Sequence, residues 1–83
     1  MKIYDYVKLK NKRVFVSGGS GVIGTELVKK LNKMGAIIFV GDLKPRPKSF
    51  SKNIVYRQGD LNYITKEELE GFNPDFFFHL AAT

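Results

Sequence analysis

Eight residues, Ser17-Gly18-Gly19-Ser20-Gly21-Val22-Ile23-Gly24, constrain the fold of this chain more than any others. They follow a short β-branched and aromatic run, Arg13-Val14-Phe15-Val16-Ser17, that reads as a buried strand. They open a segment whose apolar side chains, Ile23, Leu27, Val28, Leu31 and Met34, share one face of a helix over residues 22–34. A strand that turns so quickly into a helix needs glycine for three separate reasons. The first glycine takes backbone angles that a side chain forbids. The second removes a Cβ that would hold an anion away from the main chain, and the third lets the helix pack closely. The helix mouth then offers unpaired N–H groups and the positive end of its dipole. The backbone amides of Val22 and Ile23 are the candidate contacts for a diphosphate. Two spellings fit: Gly19, Gly21 and Gly24 match G-x-G-x-x-G, while Gly18, Gly21 and Gly24 match G-x-x-G-x-x-G. A bare glycine run also fits a tight turn without a ligand, but the flanking strand and amphipathic helix favour a phosphate loop.

The rest of the chain repeats the alternation. Glu26 and Lys30 stand four apart on the polar side of the helix, and Gly35 is its natural left-handed stop. Ala36 to Val40 is apolar throughout, as in a strand of a parallel sheet. A loop with Pro45, Pro47 and the basic residues Lys44, Arg46 and Lys48 fills the stretch from Gly41 to Asn53. Ile54-Val55-Tyr56-Arg57 reads as a third strand. Thr65 and Glu68 form a capping box that starts a short helix running to about Glu70. Asn73-Pro74 breaks the chain before a fourth strand, Phe76-Phe77-Phe78-His79-Leu80. Alternating elements with apolar strands indicate a parallel α/β sheet. Right-handed crossovers give the spatial order 3-2-1-4, the first half of a doubly wound, Rossmann-type fold that stops after strand four. Residues 1–11 are expected to be an N-terminal extension, and 12–83 a partial Rossmann domain of the kind that binds NAD(P).

Composition narrows the function classes. A hydrophobic share of 43% is too high for disorder, and 83 residues make one small domain. Without cysteine, disulfides, thiol chemistry and zinc are set aside, and no metal site is assigned. No run is long and apolar enough for a membrane helix and no apolar signal region opens the chain, so a cytoplasmic protein is expected. The net charge of +6 raises nucleic acid as a partner. The basic residues, however, fall in small groups at element ends and loops, with no stretch interleaved with stacking aromatics. Attraction to an anionic cofactor accounts for them better.

Asp42, 18 residues after Gly24 and at the end of strand two, can accept hydrogen bonds from the ribose hydroxyls of an adenosine. It would repel a 2′-phosphate, which favours NAD over NADP. Lys44 and Arg46 pull the other way, since cations nearby can offset a phosphate. As a plain structural residue, Asp42 would only begin a turn.

Taken in order, Val16 to Gly24, Asp42, Gly59-Asp60-Leu61 and Pro74-Asp75 leading into His79-Leu80-Ala81-Ala82 resemble the extended short-chain dehydrogenase/reductases. That family includes the NAD-dependent epimerases and dehydratases of nucleotide sugars. The resemblance covers about residue 12 to residue 83 and favours the G-x-x-G-x-x-G spelling. It implies a cofactor-binding set of Gly18, Gly21, Val22, Ile23, Gly24, Asp42, Leu43, Asp60, Leu61, Leu80, Ala81 and Ala82. In that set Asp60 and Leu61 line the adenine, and Leu80, Ala81 and Ala82 run beneath the cofactor. Ser17 stands where the family usually has threonine, and its hydroxyl is expected to brace the turn.

The family's reaction uses Tyr-x-x-x-Lys with a serine or threonine, all beyond the fourth strand. In such a pair the lysine lowers the phenol's pKa so that it accepts a proton. Tyr4 with Lys8 and Tyr6 with Lys10 match the spacing but precede the first strand, so no catalytic residue is assigned. His79 is expected to be scaffold. The chain is accordingly expected to be a fragment that binds NAD and lacks the catalytic part. The alternatives are a non-catalytic dinucleotide-sensing module and, behind it, a basic nucleic-acid-binding domain. Ile3, Tyr4, Tyr6, Val7 and Leu9 are apolar enough to dock on the sheet. Three consecutive phenylalanines on an open edge strand predict self-association through that edge or the sheet face.

Overall fold

A computed structural model describes residues 9–60 and 66–80 of the chain. Its elements are β1 (Arg13–Ser17), α1 (Val22–Lys33), β2 (Ile37–Asp42), β3 (Val55–Gln58), α2 (Lys66–Phe72) and β4 (Phe76–His79). The strands form one sheet in the order β3-β2-β1-β4, with every neighbouring pair parallel. This is the doubly wound half that the sequence predicts. β1 has the expected bounds, and Gly35 ends α1 in the left-handed region at φ +81°. β2 runs on to Asp42, two residues past the apolar stretch, because its pairing with β1 and β3 continues through Gly41 and Asp42. α2 passes Glu70 and ends at Phe72, whose buried ring anchors its last turn.

The two faces of the sheet bury different side chains, as the period of a strand requires. Val14, Val16, Ile38 and Val40 join Val28 and Leu31 of α1, with Ala36, Phe50 and Ile54 closing that layer. On the opposite face Phe15 and Phe39 meet Phe72 of α2, with Leu69 alongside. Phe15 and Phe39 are edge-to-face at 5.1 Å, and Phe39 and Phe72 at 5.3 Å, the arrangement favoured by ring quadrupoles. The central strands are therefore covered on both sides. β4 is not: Phe76 is 45% and Phe77 55% exposed, although Phe77 leans on Phe15 at 4.8 Å.

Polar links fix the elements that packing holds loosely. The Arg13 amide donates to Asp75 Oδ2 at 2.8 Å, and its guanidinium lies over the Phe72 ring and donates to the Phe72 carbonyl. Arg57 on β3 forks onto both oxygens of Glu68 on α2, at 2.7 and 3.2 Å. Glu68 is half of the expected capping box; Thr65, the other half, lies outside the described residues. The proline loop is organised by Arg46, whose guanidinium donates to the carbonyls of Ile54, at 2.6 Å, and Ser51. Leu9 packs against the α1-side core, as a docked extension would. Ile3, Tyr4, Tyr6, Val7 and Lys8 lie outside the described residues. No helix among the described residues is long and apolar enough to cross a membrane.

Candidate functional site

The glycine run separates into residues with different tasks. Gly18 takes φ +75°, the left-handed conformation that turns β1 toward α1. Gly19 faces the core: a Cβ there would stand 2.6 Å from Val40 Cγ1. Gly24, one turn into α1, rests against the loop backbone, where a Cβ would lie 2.8 Å from the Gly18 carbonyl oxygen and from Gly19. Gly21 is different. Its backbone is extended at φ −74°, ψ 178°, open to any residue, and a Cβ would meet nothing within 4 Å. Nothing inside the chain requires glycine at that position. Both spellings of the motif are thus satisfied, with Gly18 supplying the turn and Gly19 the packing.

Gly21 is also the N-cap of α1, and no side chain caps that end. The first helical hydrogen bond runs from the Thr25 amide to the Gly21 carbonyl at 2.8 Å, so the helix offers no acceptor to the N–H groups of Val22, Ile23 and Gly24. No acidic residue lies in the first turn. An open cleft of about 340 Å³ fronts this mouth, lined by Gly18, Gly21, Val22, Ile23, Gly24 and Leu80. All six are in the predicted set. Val22 and Ile23 leave their side chains 85% and 78% exposed at its rim.

Asp42 closes one side of the loop. Its Oδ2 accepts from the Ser20 amide at 2.9 Å and the Ser20 hydroxyl at 2.6 Å, and its Oδ1 accepts from the Lys44 amide at 3.0 Å. Partial burial pushes the carboxyl up. The bonds from Lys44 and Ser20, aided by the Leu43 amide, outweigh that and hold it below the ordinary aspartate value. Tyr56 on β3 completes the cluster, its hydroxyl donating to the Lys44 carbonyl at 2.6 Å. Burial and the charge of Asp42 push that phenol up, against smaller opposing effects of Ser20 and Arg46. Ser20 and Tyr56 are absent from the set read from the sequence. Their signal is non-local, since only the β1–β2–β3 register brings them to Asp42.

The remaining predicted residues divide. Leu43 follows Asp42 with its side chain exposed, and Asp60 comes just past β3. Gly59, at φ +146°, donates its amide to the Asp42 carbonyl at 2.8 Å, which brings that turn to the end of β2. Leu61, Ala81 and Ala82 lie outside the described residues. Ser17 departs from its expected part: its hydroxyl does not brace the turn but bonds His79 Nδ1 at 2.6 Å. Ser17 and His79 are register partners on β1 and β4, and Ser17 is 1% exposed, so the imidazole satisfies a buried hydroxyl. That bond ties the His79 side chain across the sheet to β1.

This fold and loop are those of a Rossmann-type α/β protein. No family model matches the chain. A probable dTDP-glucose 4,6-dehydratase of Sinorhizobium fredii is 31% identical over 84% of the chain and 23% of its own length. The solved structure of an epimerase from Methanothermobacter thermautotrophicus superposes with a TM-score of 0.82 at 29% identity, over 98% of this chain and 26% of that one. A short-chain dehydrogenase of Leptospira borgpetersenii, solved with bound NAD+, gives 0.76 at 27% identity, over 100% of this chain and 35% of that one. The chain spans between 23% and 35% of the length of these relatives. Over that fraction it is homologous to members of the short-chain dehydrogenase/reductase and epimerase/dehydratase superfamily.

Proposed function

We propose that this chain binds NAD through its diphosphate and adenosine, as the dinucleotide-binding portion of an NAD-dependent epimerase or dehydratase acting on a nucleotide sugar. The observation that carries the reading is the uncapped helix mouth at Gly21, open to an approaching group and set beside the Asp42 carboxylate. A diphosphate at that mouth receives the N–H groups of Val22 and Ile23 and the helix dipole. The cleft lies near the lower end of ligand-pocket sizes, about 300–1,000 Å³, which suits a diphosphate rather than a whole dinucleotide. Asp42 lies on the adenosine side, with Leu43 and Asp60 flanking it, and Leu80 lies on the nicotinamide side. NAD is favoured over NADP because Asp42 stays ionised at neutral pH and Arg46 is already bonded to two carbonyls of its own loop. The sugar-nucleotide substrate class rests on the likeness to the dehydratase. NAD supplies hydride acceptance when bound; no residue of this chain is assigned to the reaction itself.

Calorimetry with NAD, ADP-ribose and NADP tests the proposal. Comparable binding of NAD and ADP-ribose, with NADP weaker, is the expected result. A chain that binds none of them, while still folded, does not have this function.

A further inference from the structure

The carboxylate of Asp42 is more fully occupied than a ribose-binding group needs to be. An ionised carboxylate offers about four acceptor positions. Two on Oδ2 are taken by the Ser20 amide and hydroxyl, and one on Oδ1 by the Lys44 amide. Two of these donors are backbone N–H groups fixed by the chain path. They suffice to set the carboxylate's position, one from each side: Ser20 from the glycine loop, Lys44 from the loop after β2. The third, the Ser20 hydroxyl, is the one donor that rotates about a single bond.

We infer that the Ser20 hydroxyl is a stand-in for a ribose hydroxyl: it occupies the acceptor position on Asp42 Oδ2 that the adenosine diol takes, and so sets the affinity and selectivity of the ribose site. This rests on the proposed binding of an adenine dinucleotide. Ser20 is a specificity-determining residue here, and it acts through Asp42. When a ribose arrives, the hydroxyl swings away and the two O–H groups exchange one acceptor. Binding therefore gains less than a vacant carboxylate would give. A ligand without a free 2′-hydroxyl displaces the serine for a poorer return.

The test measures ADP and 2′-deoxy-ADP binding by calorimetry to the full chain, its Ser20→Ala and Ser20→Thr variants, and Asp42→Ala with and without Ser20→Ala. The expected result is that Ser20→Ala tightens ADP binding by roughly three- to ten-fold, the net worth of one hydrogen bond released from competition. Binding of 2′-deoxy-ADP should change little, Ser20→Thr should return ADP to the original affinity, and the gain should vanish when Asp42 is alanine. A uniform loss for both nucleotides would mean that Ser20 only braces the loop, and overturns the inference while leaving the dinucleotide reading intact. If neither the original chain nor any variant binds ADP, both fall together.

Discussion

Gly24 lies so close to Gly18 that a methyl group on it would stand 2.8 Å from the Gly18 carbonyl oxygen, whereas Gly21, three residues earlier, faces open space. The same substitution at the two positions therefore has opposite readouts. Gly24→Ala drives a Cβ into backbone that cannot step aside, and is expected to cost about 1–3 kcal/mol of stability. Gly21→Ala keeps an allowed backbone and touches nothing, so it should lose under about 1 kcal/mol at the N-cap. Its effect falls on the ligand, with NAD binding weakened about tenfold or more, because the methyl stands where the diphosphate approaches. Thermal melts paired with calorimetry check this. Equal loss of stability from both variants contradicts the assignment of Gly21.

Selectivity between the two dinucleotides should follow Asp42 and not Arg46. Asp42→Ala is expected to weaken NAD more than NADP, since it removes both the ribose acceptor and the charge that repels a 2′-phosphate. Arg46→Ala should lower stability by about 1–2 kcal/mol, from the loss of charged donors to Ser51 and Ile54, and leave the NAD-to-NADP ratio unchanged. A large rise in NADP affinity relative to NAD in the Asp42 variant, with no loss for NAD, would show that Asp42 repels phosphate without binding ribose. A fall in NADP binding on removing Arg46 would return that side chain to the phosphate-binding role its charge first suggested.

Local patterns carried most of the fold. β1 was legible because its apolar run is closed by glycines, and α1 because its apolar positions recur at helical spacing. What was not legible lies across the sheet. Ser17 looked like a turn-bracing residue, and only the β1–β4 register delivers its hydroxyl to His79, 62 residues away. Ser20 has no assigned part in the glycine run, yet it is the residue through which the loop grips Asp42, 22 residues on. Arg46 read as a free cation because nothing local reveals that the loop folds back around it. For Ser17 and Ser20 the sequence displays one partner and hides the other, since parallel pairing through crossovers joins residues that no short window contains.

Self-association should depend on the exposed phenylalanines of β4. An edge strand with unpaired backbone groups and apolar side chains is a template for another strand, and lysine on such an edge blocks pairing. Replacing Phe76 and Phe77 together with lysine is expected to shift the chain toward monomer in sedimentation velocity, most clearly at high protein concentration. Unchanged association in that variant would move the contact to another surface, the exposed Val22 and Ile23 of the helix mouth being the next candidates. The two are separable, because NAD should dissociate the second kind of contact and not the first.

The acid response of the fold should carry the signature of Asp42. Its folded carboxyl lies below the ordinary value, because donors from Ser20, Lys44 and Leu43 outweigh the effect of burial. A group depressed in the folded state stabilises fully above its unfolded value, about 3.9 for aspartate, and that contribution is lost as pH falls through the lower folded value. Asparagine at this position keeps the shape and does not titrate. At neutral pH, Asp42→Asn is therefore expected to be less stable than the original by no more than about 1 kcal/mol, since the side chain is partly solvated. The gap should close as pH drops below 4 and stay constant above about 5. Urea unfolding of both chains across that range measures it. A gap that widens in acid would mean that the carboxyl is raised, and that burial, not the grip of the glycine loop, governs the residue.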